Sequence, residues 1–168
     1  MLWDSIGMVV GLTLSVVVIA AKWGFIPRIS SNWRGSEAAF RTGDLPALAE
    51  ALSRGSKPVR WAALMLNTPD RRSDDDAIAL QISIENGRIG FDWVLLAPRN
   101  IEDREKFVIF ARTQGVEPIA KTLNGVSYLR VDGPDAATFT ASIVTDLYRR
   151  PPDAPLDLVH QGFDWPPR

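Results

Sequence analysis

The sequence predicts an α+β protein: an N-terminal transmembrane helix, then a two-layer domain with an antiparallel sheet and helices on one face, in the order α-β-β-β-α-β-β-α. Three observations carry this expectation. Ser5 to Ala21 contains no charged residue. Asn86-Gly87 and Asn124-Gly125 each separate two stretches of strand-forming residues, the signal of a type I′ hairpin. Stretches of helical period precede, separate and follow those hairpins. The boundaries read as an anchor over 1–27, a juxtamembrane linker over 28–36, an α+β domain over 37–150 and a Pro-rich tail over 151–168 docked on it.

The anchor comes first. Its 17 uncharged residues would span about 26 Å as a helix, just short of a hydrocarbon core of about 30 Å. Lys22 can snorkel, and Trp23, Gly24, Phe25 and Ile26 extend the apolar run to Pro27, which ends a helix. Trp3 and Trp23 fall about 30 Å apart along such a helix, one at each interface. Lys22, Arg28 and Arg34 follow the span and only Asp4 precedes it. The positive-inside rule then places the chain in the inner membrane as a single-pass protein, with its C-terminal domain in the cytoplasm. Gly7, Gly11 and Ser15 share one face at small-xxx-small spacing, which lets two such helices approach closely. A homodimer is therefore one expected partner arrangement. Two other readings stay open. Ile19-Ala20-Ala21 offers small residues for signal cleavage, which would leave a secreted or periplasmic soluble domain, although the first residues carry Asp4 and no Lys or Arg. A buried core helix fits less well, because the run is apolar on every face.

The domain follows element by element. Asp44 can cap a helix whose Leu45, Leu48, Ala49 and Leu52 recur at helical spacing, and Gly55 ends it. Val59 to Leu66 is the first strand. Residues 69–76 form a polar loop. Ala77 to Glu85 alternates, with Ile78, Leu80, Ile82 and Ile84 on one face, and Arg88 to Leu96 answers with Ile89, Phe91, Trp93 and Leu95. Asn100 caps the next helix, with Glu102, Asp103 and Glu105 favourably placed near its N-terminus and Phe107, Phe110 and Ala111 on its apolar side. Val116 to Thr122 and Val126 to Val131 pair across Asn124-Gly125. A last helix begins near Pro134 and buries Ala136, Phe139, Ile143 and Leu147. In the tail, a short helix up to Gln161 is expected. Gly-Phe-Asp-Trp occurs at 90–93 and again at 162–165 without a fixed period, which reads as coincidence rather than repeat.

The element order over residues 36–149 resembles the small fold of type III secretion chaperones and their wider TY-Chap relatives, with Gly90-Phe-Asp-Trp-Val-Leu-Leu-Ala-Pro-Arg99 and Asn124-Gly-Val-Ser-Tyr-Leu-Arg130 standing as core-strand motifs. The resemblance implies an acidic, partner-binding domain, since family members bind other polypeptides and are typically soluble dimers. The anchor departs from that pattern, and the resemblance assigns no binding residue.

Composition removes several function classes. The chain of 168 residues has no Cys, one His and a formal charge of -1. That excludes disulfides, thiolate metal sites and Cys nucleophiles, and argues against nucleic acid as a partner. No P-loop, Gly-x-Gly-x-x-Gly, His-Glu-x-x-His or Gly-x-Ser-x-Gly pattern is present. No catalytic residue, metal site or cofactor is expected. The binding candidates are Arg99, beside Asn100 and Asp103 at a strand-to-helix junction, and the aromatic side chains Trp93 and Trp165. Asp74-Asp75-Asp76 is the densest acidic run, better read as a solvated loop than as a cation site. The leading expectation is a membrane-anchored, non-enzymatic module that contacts the lipid bilayer and another protein, as an adaptor, chaperone-like or immunity-like domain. The contrasting one is a membrane-tethered hydrolase using Asp74, Asp76 and Asp92.

Overall fold

The computed structural model describes residues 40–70 and 76–166. The expected anchor with Trp3, Lys22 and Trp23, the Gly7-Gly11-Ser15 face, the linker over 28–36, Asp74 and Asp75 all lie outside the described residues. Among the described residues, no helix is long and apolar enough to cross a membrane.

A 3-10 turn at Thr42–Asp44 leads into α1 (Leu45–Arg54). Then come β1 (Trp61–Leu66), β2 (Ile78–Glu85), β3 (Arg88–Val94), α2 (Pro98–Glu102), α3 (Arg104–Thr113), β4 (Ile119–Leu123), β5 (Val126–Val131), α4 (Ala136–Ser142) and β6 (Asp157–Gln161). The strands form one sheet in the order β4-β5-β3-β2-β1-β6, and every neighbouring pair is antiparallel. Both Asn-Gly dipeptides turn as expected. Asn86 and Gly87 have φ of 50° and 75°, Asn124 and Gly125 of 49° and 78°, the left-handed pair that a type I′ turn requires.

One side of the sheet, here the inner face, packs against the helices. Ala62, Leu64, Leu66, Ile78, Leu80, Ile82, Phe91, Trp93, Leu129 and Val131 meet Leu45, Leu48 and Leu52 of α1, Phe107, Phe110 and Ala111 of α3, and Ala136 and Phe139 of α4. At its centre Trp93 stacks on Phe107, with centroids 4.6 Å apart and planes 6° from parallel. Phe139 meets Phe91 edge-on at 5.4 Å. The period-2 alternation of β2 and β3 places these residues together, as the sequence predicts.

Four expectations need correction. The tail carries no helix up to Gln161: residues 157–161 are β6, a sixth strand paired to β1. All six residues of β1 are buried, so an unpaired outer edge would leave buried N–H and C=O groups without partners. That demand, with the strand preference of Val159, sets the conformation of this segment. Secondly, Asn100 is not a cap. It lies inside α2, whose cap position is Ala97. Its buried amide donates to Ala79 O at 2.7 Å and accepts from Ala79 N at 2.9 Å. The β2–β3 register, Gln81 opposite Asp92, would set Ala79 opposite Val94. The side chain thus continues the ladder where β3 leaves β2. Thirdly, the helix after β3 is broken in two at Asp103. Fourthly, the last helix is capped by Asp135, whose carboxylate accepts from Thr138 N at 2.7 Å. That helix ends in a wider turn, with Tyr148 N donating to Ile143 O at 3.0 Å.

Candidate functional site

Three clusters of polar groups stand on this framework. The first surrounds Arg99 at the start of α2. Its guanidinium reaches Asp70 at 2.7 Å, Asp103 at 3.1 Å and Asp76 at 3.6 Å. Tyr148 donates to Asp103 at 2.8 Å, and Lys106 lies 4.3 Å from the centre of the Tyr148 ring. The hydrogen bond from Arg99 lowers the Asp70 carboxyl to about 2. Burial and the hydrogen bond to Asp103 push the Tyr148 hydroxyl well above its ordinary range. Arg99 therefore clamps the loop before β2, α2 and the end of the last helix. A partner's carboxylate would have to displace carboxylates already seated there.

Trp93 was a candidate binding aromatic. It is a core side chain with no exposure, stacked on Phe107, and its indole N–H donates to Asn100 O at 2.9 Å. Ligand contact there is replaced by packing. Trp165 is partly buried and packs edge-on against Phe40 at 5.7 Å, in a different neighbourhood from Arg99. The three binding candidates do not form one surface.

The second cluster joins Asp92, expected above only as a hydrolase carboxylate, to side chains that the sequence did not single out. It lies on the outer face of the sheet, opposite the helices, around Arg130 and Asp92, both fully buried. Arg130 Nη1 donates to Asp92 Oδ1 at 2.9 Å and to Ser83 Oγ at 2.7 Å. Its Nε donates to Asp132 at 2.8 Å and its Nη2 to the Arg88 carbonyl at 3.1 Å. Ser83 and Gln81 donate to the other oxygen of Asp92. Burial raises the Asp92 pKa, against the opposing pull of Arg130 and Ser83. Beside this group, Lys121 and Tyr128 both donate to Glu85, at 2.6 and 2.7 Å. Burial works against the ionised form of Glu85, but these two donors hold its pKa below the usual value. Gly90 makes the arrangement possible: a Cβ there would lie 2.5 Å from Arg130 Nη2 and 2.6 Å from Asp132 Oδ1. The available signal was a glycine in mid-strand with charged residues at two strand positions facing the same way.

These contacts bear on the hydrolase expectation. Asp76 pairs with Arg99 and Asp92 with Arg130, so the two carboxylates belong to different clusters. Ser83 gives its proton to Asp92 and accepts from Arg130 in a buried setting. Among the described residues, no group of three or more His, Asp or Glu side chains is arranged to hold a metal ion.

The third cluster lines a cleft of about 410 Å³ between the end of α1 and the tail, bounded by Glu50, Arg54, Gly55, Lys57, Phe163 and Asp164. Gly55 and Gly162 allow the two segments to meet. A Cβ on Gly55 would lie 2.5 Å from Arg60 Cδ, and one on Gly162 (φ 88°) would lie 2.2 Å from Val59 O. The two Gly-Phe-Asp-Trp copies thus use their glycines for unrelated close approaches.

Next to this cleft, the ring of His160 lies 4.9 Å from that of Phe163. Among the described residues its buried Nδ1 has no hydrogen-bond partner. Burial lowers its pKa from 6.5. The unfolded chain therefore binds this proton more readily than the folded one. Stability present at neutral pH is expected to fall as pH drops below about 6.5 and to level off below the folded-state value. Thermal unfolding midpoints between about pH 7 and pH 5 check this, with His160→Gln flattening that part of the profile.

The fold and these clusters define an α+β domain with a helix-covered antiparallel sheet and a buried ionic network on the sheet's other face. The chain matches no protein-family model, no curated protein and no solved structure.

Proposed function

We propose that this chain is a membrane-anchored, non-enzymatic protein-binding module, an adaptor, chaperone-like or immunity-like domain held on the cytoplasmic side of the membrane by residues 1–27. The observation that supports it most is the free edge of β4. Among the described residues this strand pairs only on its β5 side, and it leaves Ile119 53% and Leu123 40% exposed. Edge strands are usually protected by an outward lysine or a proline. Here the one lysine of the strand, Lys121, is drawn back to Glu85. An added strand from a partner would complete the ladder and cover both side chains. The resemblance to secretion chaperones points the same way, toward a polypeptide partner.

Two readouts test this proposal in native membranes. A photo-crosslinking residue at Ile119 is expected to yield an adduct with one other protein, lost when Ala120→Pro blocks strand addition. Protease added to inverted vesicles is expected to digest the domain, and protease added to right-side-out vesicles to spare it. Adducts that persist in the Ala120→Pro chain, or digestion from the opposite side, would overturn the corresponding half of the proposal.

A further inference from the structure

Among the described residues, four large apolar side chains stand exposed: Ile101 and Ile109 on the helices, and Ile119 and Leu123 at the two ends of β4. None of the four lies on β6, the other edge of the sheet, and the chain just before β6 is bridged at Arg41 and Pro155. The five residues of β4, Ile119-Ala-Lys-Thr-Leu123, have the same pattern in both directions. An apolar residue stands at each end, a small one next to it, and Lys121 at the centre. The register with β5 sets Ile119 opposite Arg130, Lys121 opposite Tyr128 and Leu123 opposite Val126. These three therefore share the outer face, and Ala120 and Thr122 point to the inner one.

We infer that the strand which closes this edge when no other partner holds it is β4 of a second copy, running antiparallel about a two-fold axis at Lys121. The inference rests on the reading of β4 as an edge that takes an added strand, and names one strand that fits it. A two-fold contact must be self-complementary. In an antiparallel pair, residues directly opposite each other point to the same face, so the axis must pass through a residue and not between two. On Lys121 it pairs all five residues: Ile119 with Leu123 of the other copy, Ala120 with Thr122, and Lys121 with itself. Alternate residues then meet alternate residues, so the outward N–H and C=O groups of one strand face those of the other. On Ala120 or Thr122 the axis would leave two residues of each strand beyond the ladder and set Lys121 opposite Ile119 or Leu123. Lys121 on the axis brings two like charges together, which by itself opposes pairing. Each ammonium carries its own counter-charge, however. Lys121 Nζ lies 2.6 Å from Glu85, which Tyr128 also holds at 2.7 Å. Pro118, which has no N–H, ends the seam on one side and the Asn124-Gly125 turn ends it on the other. Five residues a side make a small interface, in the class of weak encounters below about 1,200 Å², so a competing strand can displace the second copy.

The chain has no cysteine, so cysteines placed on β4 report on this pairing directly. Ile119→Cys and Leu123→Cys both alter exposed side chains. The two full-length chains, purified in a neutral detergent, are oxidised separately and as an equal mixture. In the inferred pairing, position 119 lies opposite position 123 of the other copy but about 13 Å from position 119 of that copy. That exceeds the roughly 7 Å between Cα atoms that a disulfide tolerates. The mixture is therefore expected to form disulfides between chains at least about tenfold faster than either chain alone. Adding Ala120→Pro to both chains is expected to abolish the difference. Equal rates in the three samples, or no disulfide in the mixture, overturn the inference. Such a failure leaves the adduct of Ile119 with another protein in native membranes to be judged by its own result. Disulfides in the mixture without that adduct uphold the pairing and reject the other partner.

Discussion

Replacing Arg130 by Met is expected to destabilise the protein by about 3–5 kcal/mol at neutral pH, enough to remove much of the stability of an ordinary domain. The effect comes less from losing an attraction than from what is left behind. Asp92 has no exposure, and without Arg130 its charge would be buried with only Ser83 and Gln81 as donors. Two controls separate this from general disruption. Burial already raises the Asp92 pKa, and removing the guanidinium raises it further. The variant then binds more protons folded than unfolded, so its deficit should shrink as pH falls from about 7 to about 5. The double variant Arg130→Met with Asp92→Leu should lie closer to the parent than Arg130→Met alone, because no uncompensated charge remains. Denaturant titration of the full chain, with a neutral detergent present, measures all three. A deficit that does not change with pH would show that packing, not the stranded carboxylate, dominates.

Trp93→Ala is expected to destabilise by a similar amount, about 3–5 kcal/mol, for a different reason. It opens a cavity against Phe107 in the fully buried centre and leaves the Asn100 carbonyl without its indole donor. Asn100 in turn holds both polar groups of Ala79, so the cavity and the β2 edge are coupled. Trp93→Phe restores most of the stacking but not the donor. Its deficit should be only about 1–2 kcal/mol, the scale of one buried hydrogen bond with a small volume loss. The same titrations measure it. Equal losses for Ala and Phe would mean that the hydrogen bond, not the stacking, dominates.

These two sites also mark how far the sequence could be read. The inner face was legible. Ile78, Leu80 and Ile82, and Phe91 and Trp93, alternate with polar residues, and a period of two has only one physical solution when half of the positions are apolar. The hairpins were legible because Asn-Gly is one of the few dipeptides that accept two left-handed residues in succession. The outer face was not. Gln81, Ser83, Asp92 and Arg130 look like solvent-facing positions, and alternation alone cannot distinguish water from a buried network. Only the mid-strand Gly90, which makes room for a guanidinium, hinted at it.

By itself the sequence determined the α+β class, both hairpins, the apolar faces of α1 and α3, and the order of the first five strands. These are local properties: turn geometry, period and capping act over a few residues, where the identity of each side chain suffices. The tertiary structure alone decided the rest. It turned the tail into β6, because β1 is buried on both faces and its backbone needs a partner on each side. It took Asn100 away from a helix cap to extend the β2 ladder, sank Trp93 into the core, and paired Arg130 with Asp92 across 38 residues of chain. Each of these depends on which distant groups are left unsatisfied once the local elements have formed, and that is a property of the assembled sheet.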